Sequence, residues 1–593
     1  FSLADNNVVS LYLGPDRILW AGTYRGISQL NLHRQNFMRF LTNPGDPASL
    51  SYPEVRAFCD ASSGLLWVGT DGGGLNAFDR NRMRTLYFRH DPQNPSSLSS
   101  DRIFSIVEDQ DGSLWVGTYG GGLNRYDPAT SSFSHYRNNP RRPGSLPDDR
   151  IRSLFVDSQN RLWLGTDGSG LVRFDRSTGR FSRPRLNRIT SAEALARPTA
   201  HTPSVEDFPR ISEPAPGDGI GLRGRKTPGP SVLNPEFSGE ATLQQPQSHP
   251  QFNQTTPSPE SNLDDQFLAN LATSPNPLLS GRIFSIAEDQ SGCLWLGCYG
   301  GGLVRYNPET GEMLHLTHDP LDRRSLSSNS VINVYIDHEG FIWAGTNGGG
   351  LNRLDPSSLT FTRYNETQGL PSSVIYGILE DDDGNLWLSS NRGLSRLDPR
   401  TNQIKNFDTT DGLQSYEFNG NACLKGHDGL LYFGGINGFN VFNPRAIQAS
   451  EFRPPVVITS LIISNAPVRP GQTVDGYKIL DKSITQTAEI ILHWKHRVVA
   501  FEFAGLDYTS PEKNQYAYIL EGFEDNWNYV GTRRFASYSN LPPGRYTFRV
   551  MAANSDGLWN ENGARLSLQV VPPFWRTWWF YLLVVLVLAG AAL

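Results

Sequence analysis

Arg102, Arg150 and Arg282 each stand immediately before a short apolar run, and Tyr119, Asp167 and Tyr299 open glycine-rich turns later in the same three copies of one repeated pattern. A guanidinium forks onto carboxylate or sulfate oxygens, and an aromatic ring stacks on the apolar face of a sugar. These six residues are therefore the candidate ligand-binding set. The ligand they suit is a small molecule or oligosaccharide bearing an acid group. A plainer alternative is that the arginines are satisfied by neighbouring acids such as Asp101 and Asp149.

Other chemistries find less support. The histidines, among them His90, His135, His315, His318 and His338, share no repeat position, and no pair among Cys59, Cys293, Cys298 and Cys423 has metal-ligand spacing. No catalytic set, metal site or cofactor is expected. Asp109 and Asp157 lie six residues before Trp115 and Trp163, whereas the Asp-box of sialidases places its aspartate five before. They read as turn caps, because an Asp bonds its own backbone in tight turns. The glycine triplets lack the lysine and following helix of a phosphate loop and suit strand reversal instead. A net charge of −6 without basic clusters speaks against nucleic acid.

The elements that position these residues follow from the repeat. Asp101 to Tyr136 contains four strand-like runs separated by turn clusters, and near-copies recur along the chain. Trp20, Trp67, Trp115, Trp163, Trp295, Trp343, Trp387 and Tyr432 mark the register at spacings of 47, 48, 48, 132, 48, 44 and 45 residues. Four strands per unit of somewhat over forty residues predicts an all-β fold, a β-propeller of seven or eight four-stranded blades over residues 1–449. The five tryptophans from Trp67 to Trp343 are expected at equivalent places on second strands. The last repeat runs out of strands near Asn443, so its outer strand is expected from the N-terminal segment. Residues 184–276, rich in Pro, Ser, Thr, Gln and Asn, read as a disordered insert between the fourth and fifth repeats.

After Pro454-Pro455 the period stops. About seven short alternating strands over residues 452–572 predict an immunoglobulin- or fibronectin-like sandwich, and Leu541 to Gly557 suits a tyrosine corner at Tyr546. Residues 575–593 run through Trp575, Trp578, Trp579 and Tyr581 into an uncharged apolar stretch, which reads as the start of a transmembrane helix truncated by the end of the chain. Phe1 begins in strand-like sequence, without a Met or signal peptide, so a fragment or processed chain is expected.

The repeats LWVGTYGGGLNRYDP and FIWAGTNGGGLNRLDP resemble the two-component regulator propeller repeat. The segment from FEFAGLDYTSPEKNQYAYILEGF to PPFWRTWWFY is similar to the Y_Y_Y domain that follows such repeats. The resemblance implies the periplasmic sensor half of a protein of the bacterial inner membrane. Its cytoplasmic output would be a histidine kinase, often a hybrid, or a diguanylate cyclase, and is absent from this chain. Family members often carry two propellers, so an N-terminal portion is expected to be missing, and the insert departs from the family pattern. Signalling across one helix per subunit calls for a homodimer through the sandwich. The competing readings are a membrane-anchored propeller scaffold and an anchored carbohydrate-active enzyme.

Overall fold

Each repeat buries apolar residues on both faces of its sheet, which a lone sheet cannot do, so the copies stack. The computed structural model describes residues 3–5, 7–14, 18–31, 37–43, 45–46, 48–190, 193–194, 281–447, 450–576 and 578–592. Within them, seven four-stranded antiparallel blades form a ring whose inner strands neighbour one another in a closed circuit. These inner strands are Val55–Asp60, Ile103–Glu108, Ile151–Val156, Arg282–Glu288, Val331–Ile336, Ile375–Glu380 and Phe418–Lys425. The seventh blade has three strands of its own, and Met38–Phe40 pairs with Gly438–Phe442 to complete it.

The marker tryptophans occupy the second strands of successive blades and are buried between sheets. The six-residue spacing has a bonding reason. The indole N–H of Trp115, Trp163, Trp295, Trp343 and Trp387 donates to the carboxylate of Asp109, Asp157, Asp289, Asp337 and Asp381, at 2.7–2.9 Å. The turn aspartate thus caps its hairpin and satisfies the one polar atom of the core ring. The first and seventh blades, with Ala61 and Gly426 at that position, lack the clamp. There Asp60 binds Arg80 at 2.8 Å and the His427 amide at 3.0 Å, stitching the closing seam. Close blade approach explains the glycine that follows the tryptophan by two: a Cβ on Gly69 would lie 2.6 Å from Ile103 of the next blade.

Two expectations change. The first three strands of the first repeat, with Trp20, are not in the ring; only its outer strand, Met38–Phe40, joins it. Val8–Leu13, Ile18–Thr23 and Gly26–Asn31 form a separate three-stranded sheet, and Trp20 meets Tyr508 of the sandwich edge-on at 5.3 Å. The start of the expected insert is also ordered: Asn187–Ile189 adds a fifth, parallel strand beside Glu312–Leu316. Leu186 and Ile189 pack half-buried against the fourth blade and its neighbour, a gain hidden in sequence by the surrounding prolines and arginines. Residues 195–280 lie outside the described residues.

The sandwich packs a sheet containing Val456–Ile463, Val498–Gly505 and Phe535–Ser539 on one containing Glu489–His493, Gln515–Glu521, Gly544–Ala553 and Trp559–Val571. Phe501 and Phe548 stack at its centre, 4.5 Å apart. The Tyr546 hydroxyl donates to the Pro542 carbonyl at 2.9 Å, forming the tyrosine corner. The chain ends in a helix, Trp578–Ala592, of 15 residues. At 1.5 Å per residue it is about 22 Å long, short of the ~30 Å hydrocarbon layer. No helix among the described residues is long and apolar enough to cross a membrane.

Candidate functional site at the channel mouth

The inner strands share a defect that decides what enters the channel. In the first blade Val55 pairs with Thr70 and Ala57 with Gly69, so Arg56 has no partner across the ladder. The same one-residue bulge isolates Phe104, Arg152, Phe284, Ile332 and Tyr376 in the next five blades. A bulge bends the strand and re-aims the extra side chain, here into the central channel. The seventh inner strand slips further between Phe418 and Cys423. Asn421 in that stretch donates to the Phe284 carbonyl and accepts from Asn333, both at 2.7 Å, reaching across the ring.

These residues line a cavity of about 370 Å³, together with Tyr119, Arg150, Arg282, Tyr299, Asn347 and Gly420, so every blade contributes. Four of the six residues singled out from the sequence, Tyr119, Arg150, Arg282 and Tyr299, are on this lining. Arg102 and Asp167 are not on it: Arg102 lies over the Tyr119 ring at 4.7 Å, and Asp167 is buried. The loops meet between neighbouring blades: backbone bridges join Asp71 to Arg102, Tyr119 to Arg150 and Asp167 to Arg282. Buried Asn124, accepting from the Ser99 amide at 3.0 Å, pins the loop that leads into Arg102.

The electrostatics centre on Asp167, whose side chain is 1% exposed. It accepts from Arg152 at 3.1 Å and from the Tyr119 hydroxyl at 2.9 Å, with Arg150 at 3.7 Å and Arg282 at 3.6 Å. Three guanidinium groups thus share one buried carboxylate. Arg102 and Arg56 share Asp71 at 2.6 and 3.4 Å, Glu54 also holds Arg56, and Arg150 pairs with Asp148 at 2.9 Å. The arginines do meet acids, but not Asp101 and Asp149, which accept the backbone amides of His90 and Asn138. The bond to Asp148 pushes the Arg150 guanidinium further above its ordinary range. Burial, and then the Asp167 carboxylate, pushes the Tyr119 phenol up, so it stays a donor near neutrality.

Aromatic rings complete the surface. The Arg152 guanidinium lies 4.8–5.0 Å from the rings of Phe104, Tyr119 and Phe284, and Phe284 stacks on Tyr299 at 5.2 Å. A cation held among rings, with its counter-carboxylate behind it, can receive an anion and a flat apolar ligand face together. The sequence reading missed the bulge residues. Their signal is a variable position between fixed neighbours, between the leading Ile or Val and the Ser, Ala, Asn or Gly that follows. Among the described residues no group of three or more His, Cys, Asp or Glu could hold a metal ion.

Comparison with known proteins follows the two-part architecture. The two-component regulator propeller profile matches residues 97–120, 145–168, 277–300, 325–348 and 369–392, and the Y_Y_Y domain profile matches 507–571. A histidine kinase of Formosa agariphila, named P4, is 28% identical over 364 residues, which are 53% of this chain and 26% of that protein. A solved protein of B. thetaiotaomicron, described as the extracellular domain of a hybrid two-component system, superposes with a TM-score of 0.66 at 23% identity, covering 96% of this chain and 62% of its own. The chain thus spans about a quarter of the curated relative and three-fifths of the solved one. Five of the seven blades carry two-component regulator propeller repeats, and the sandwich that follows carries a Y_Y_Y domain over residues 507–571.

Proposed function

We propose that this chain is the extracytoplasmic, ligand-sensing region of a bacterial inner-membrane signalling protein. Its cytoplasmic output, a histidine kinase or diguanylate cyclase, lies outside the chain. The observation that carries this reading is the cavity itself: six bulges and the adjoining loops of a repeat ring converge on one cationic and aromatic mouth. Such a mouth favours an acid-bearing oligosaccharide or small molecule, the anion on Arg150, Arg152 and Arg282 and the apolar face on Tyr119, Phe284 and Tyr299.

A route outward supports the reading. Asn421, at the cavity, belongs to the seventh inner strand, and the loop leading into that strand carries Asp408 and Asp411. Lys513 of the Y_Y_Y domain binds both carboxylates, at 2.9 and 2.5 Å, and Lys405 of the sixth blade pairs with Asp556. Ligand-induced movement of that strand would load these contacts directly. The sandwich, residues 452–572, is proposed to form a homodimer and the terminal helix to enter the membrane, so that two helices move against each other. Light scattering on the full chain at high micromolar concentration checks the dimer, and a monomer there counts against it. For the ligand, the full chain in detergent is titrated by calorimetry with acidic and neutral oligosaccharides of equal length. Binding of the acidic series, weakening with added salt, is expected; binding of neutral sugars alone overturns the ligand class.

A further inference from the structure

The two ends of the Y_Y_Y sandwich have different surfaces, and strand register says which end meets which neighbour. His493 sits beside Val571, and Gly544 faces Val570. The turn after His493, the turn before Gly544 and the exit of the chain toward Phe574 therefore share one end. Lys513 and Asp556, which touch the propeller, lie at the other. The ten-residue strand Gly544–Ala553 spans the gap, roughly 30 Å at about 3.3 Å per residue.

At the exit end aromatic side chains stand exposed: Trp494 by 36%, Phe523 by 50% and Phe574 by 58%. Trp494 belongs to the sandwich, yet its ring meets Trp575 edge-on at 4.9 Å. Phe523 rests near the rings of Tyr538 and Tyr546, at 6.1 and 6.4 Å. Exposed Lys495, Arg545 and Arg576 accompany them, and Asp525 lies on the Phe523 loop. From this end the chain runs directly into the uncharged helix Trp578–Ala592. Rings at headgroup depth, cations among lipid phosphates and a continuous apolar segment are the combination that a bilayer interface holds.

We propose that this rim of the Y_Y_Y domain seats on a lipid bilayer, with Trp494 and Phe523 in the headgroup layer and Lys495 and Arg576 on the phosphates. The proposal rests on the reading of the terminal helix as a membrane anchor. Its consequence is that each subunit is held by a second contact besides its helix. The sandwich then cannot swivel freely, and a displacement at the propeller end reaches the helix as a tilt.

The test uses the full chain in nanodiscs of phosphatidylcholine and phosphatidylglycerol, with and without bromine on the acyl carbons nearest the headgroup. Tryptophan emission of the wild type minus that of Trp494→Phe isolates Trp494. In brominated discs this difference should fall by roughly half, the behaviour of an interfacial ring. Phe523→Trp, which adds a ring and keeps the test open if Trp494→Phe fails to fold, should add emission quenched to the same degree. An unquenched difference, with the total emission still quenched through Trp578 and Trp579, means that the helix inserts while the rim stays in water, and overturns the proposal. A blue-shifted difference indifferent to bromine means that a second copy or another protein covers the rim, and overturns it too. Emission unquenched throughout means that the helix does not insert, and the anchor reading fails first.

Discussion

The channel mouth has two arcs built on one backbone plan. From the first to the fourth blade the bulge and loop positions carry Arg56, Phe104, Arg150, Arg152, Arg282 and Phe284. From the fifth to the seventh they carry Ile332, Asn347, Tyr376, Gly420 and Asn421, with no cation. Bulges and pairing are alike in both arcs wherever the blade has a complete repeat. Framework and chemistry are thus encoded at different positions of the repeat: the framework in the Trp, Asp and Gly that lock blades together, the chemistry in the residue that the ladder leaves out and in the loop residues beside it.

The sharpest break in that comparison is within a single blade pair. Trp343→Ala empties a fully buried site on the second strand of the fifth blade and should cost about 3–5 kcal/mol, read by denaturant unfolding. Tyr376→Ala, at the channel, should cost far less. Equal losses would mean that the bulge residues are framework after all.

Next is the contrast between arcs. Replacing Arg150, Arg152 and Arg282 with Ala together should weaken an acidic oligosaccharide at least about 100-fold, since charge-assisted bonds contribute roughly 1.5–3 kcal/mol each. Ile332→Ala on the neutral arc should stay within about fivefold, since most residues at a binding surface cost less than about 1 kcal/mol when truncated. Calorimetry on both variants reads this, and unchanged acidic binding in the triple variant removes the cationic arc from the site.

A smaller loss sharpens the framework half. Asp337→Ala leaves the buried Trp343 indole N–H without its acceptor at 2.7 Å and should cost about 1–3 kcal/mol. Thermal unfolding checks it, and a neutral result would reduce the clamp to a turn preference.

The smallest effect is a pH dependence at one seam. The Ser62 and Ser158 amides donate to Glu108 and Glu288 of the next blade, and in the fifth blade His338 does the same to Glu380, with its imidazole also on that carboxylate. The hydrogen bond to Glu380 raises the His338 pKa above its ordinary 6.5. With the folded value above the unfolded one, the stabilisation is fully present below about pH 6.5 and is lost as pH rises through the folded value. The effect is small because the imidazole is largely exposed. His338→Gln should flatten the melting temperature across that window relative to wild type; an unchanged slope assigns it elsewhere.

Much of this was legible from spacing alone. The recurrence of tryptophan predicted the blades, because equal spacing in a closed ring means equal surroundings, and the shortfall after Phe442 predicted a borrowed outer strand, which Met38–Phe40 supplies. Trp20 misled the count, since the same motif outside the ring looks identical in sequence. Four of the six proposed residues reach the cavity because loops two strands apart share a face. Asp167 could not be placed correctly, because its burial depends on arginines from two blades converging on it.

By itself, then, the sequence determined a local pattern repeated many times: apolar alternation, an aspartate six residues before a tryptophan and a glycine two after it, each acting within one hairpin or against its neighbour. Such short-range rules suffice for a ring, because stacking every copy in the same way is what buries both faces of each sheet. Tertiary structure alone decided the site. A bulge is a mismatch between two strands, visible only once their register is set, and it turns Arg152 and Phe284 inward while Asp167 gathers Arg150, Arg152 and Arg282 behind them. Charges from segments distant along the chain compensate one another only when the closed ring brings them within hydrogen-bonding range.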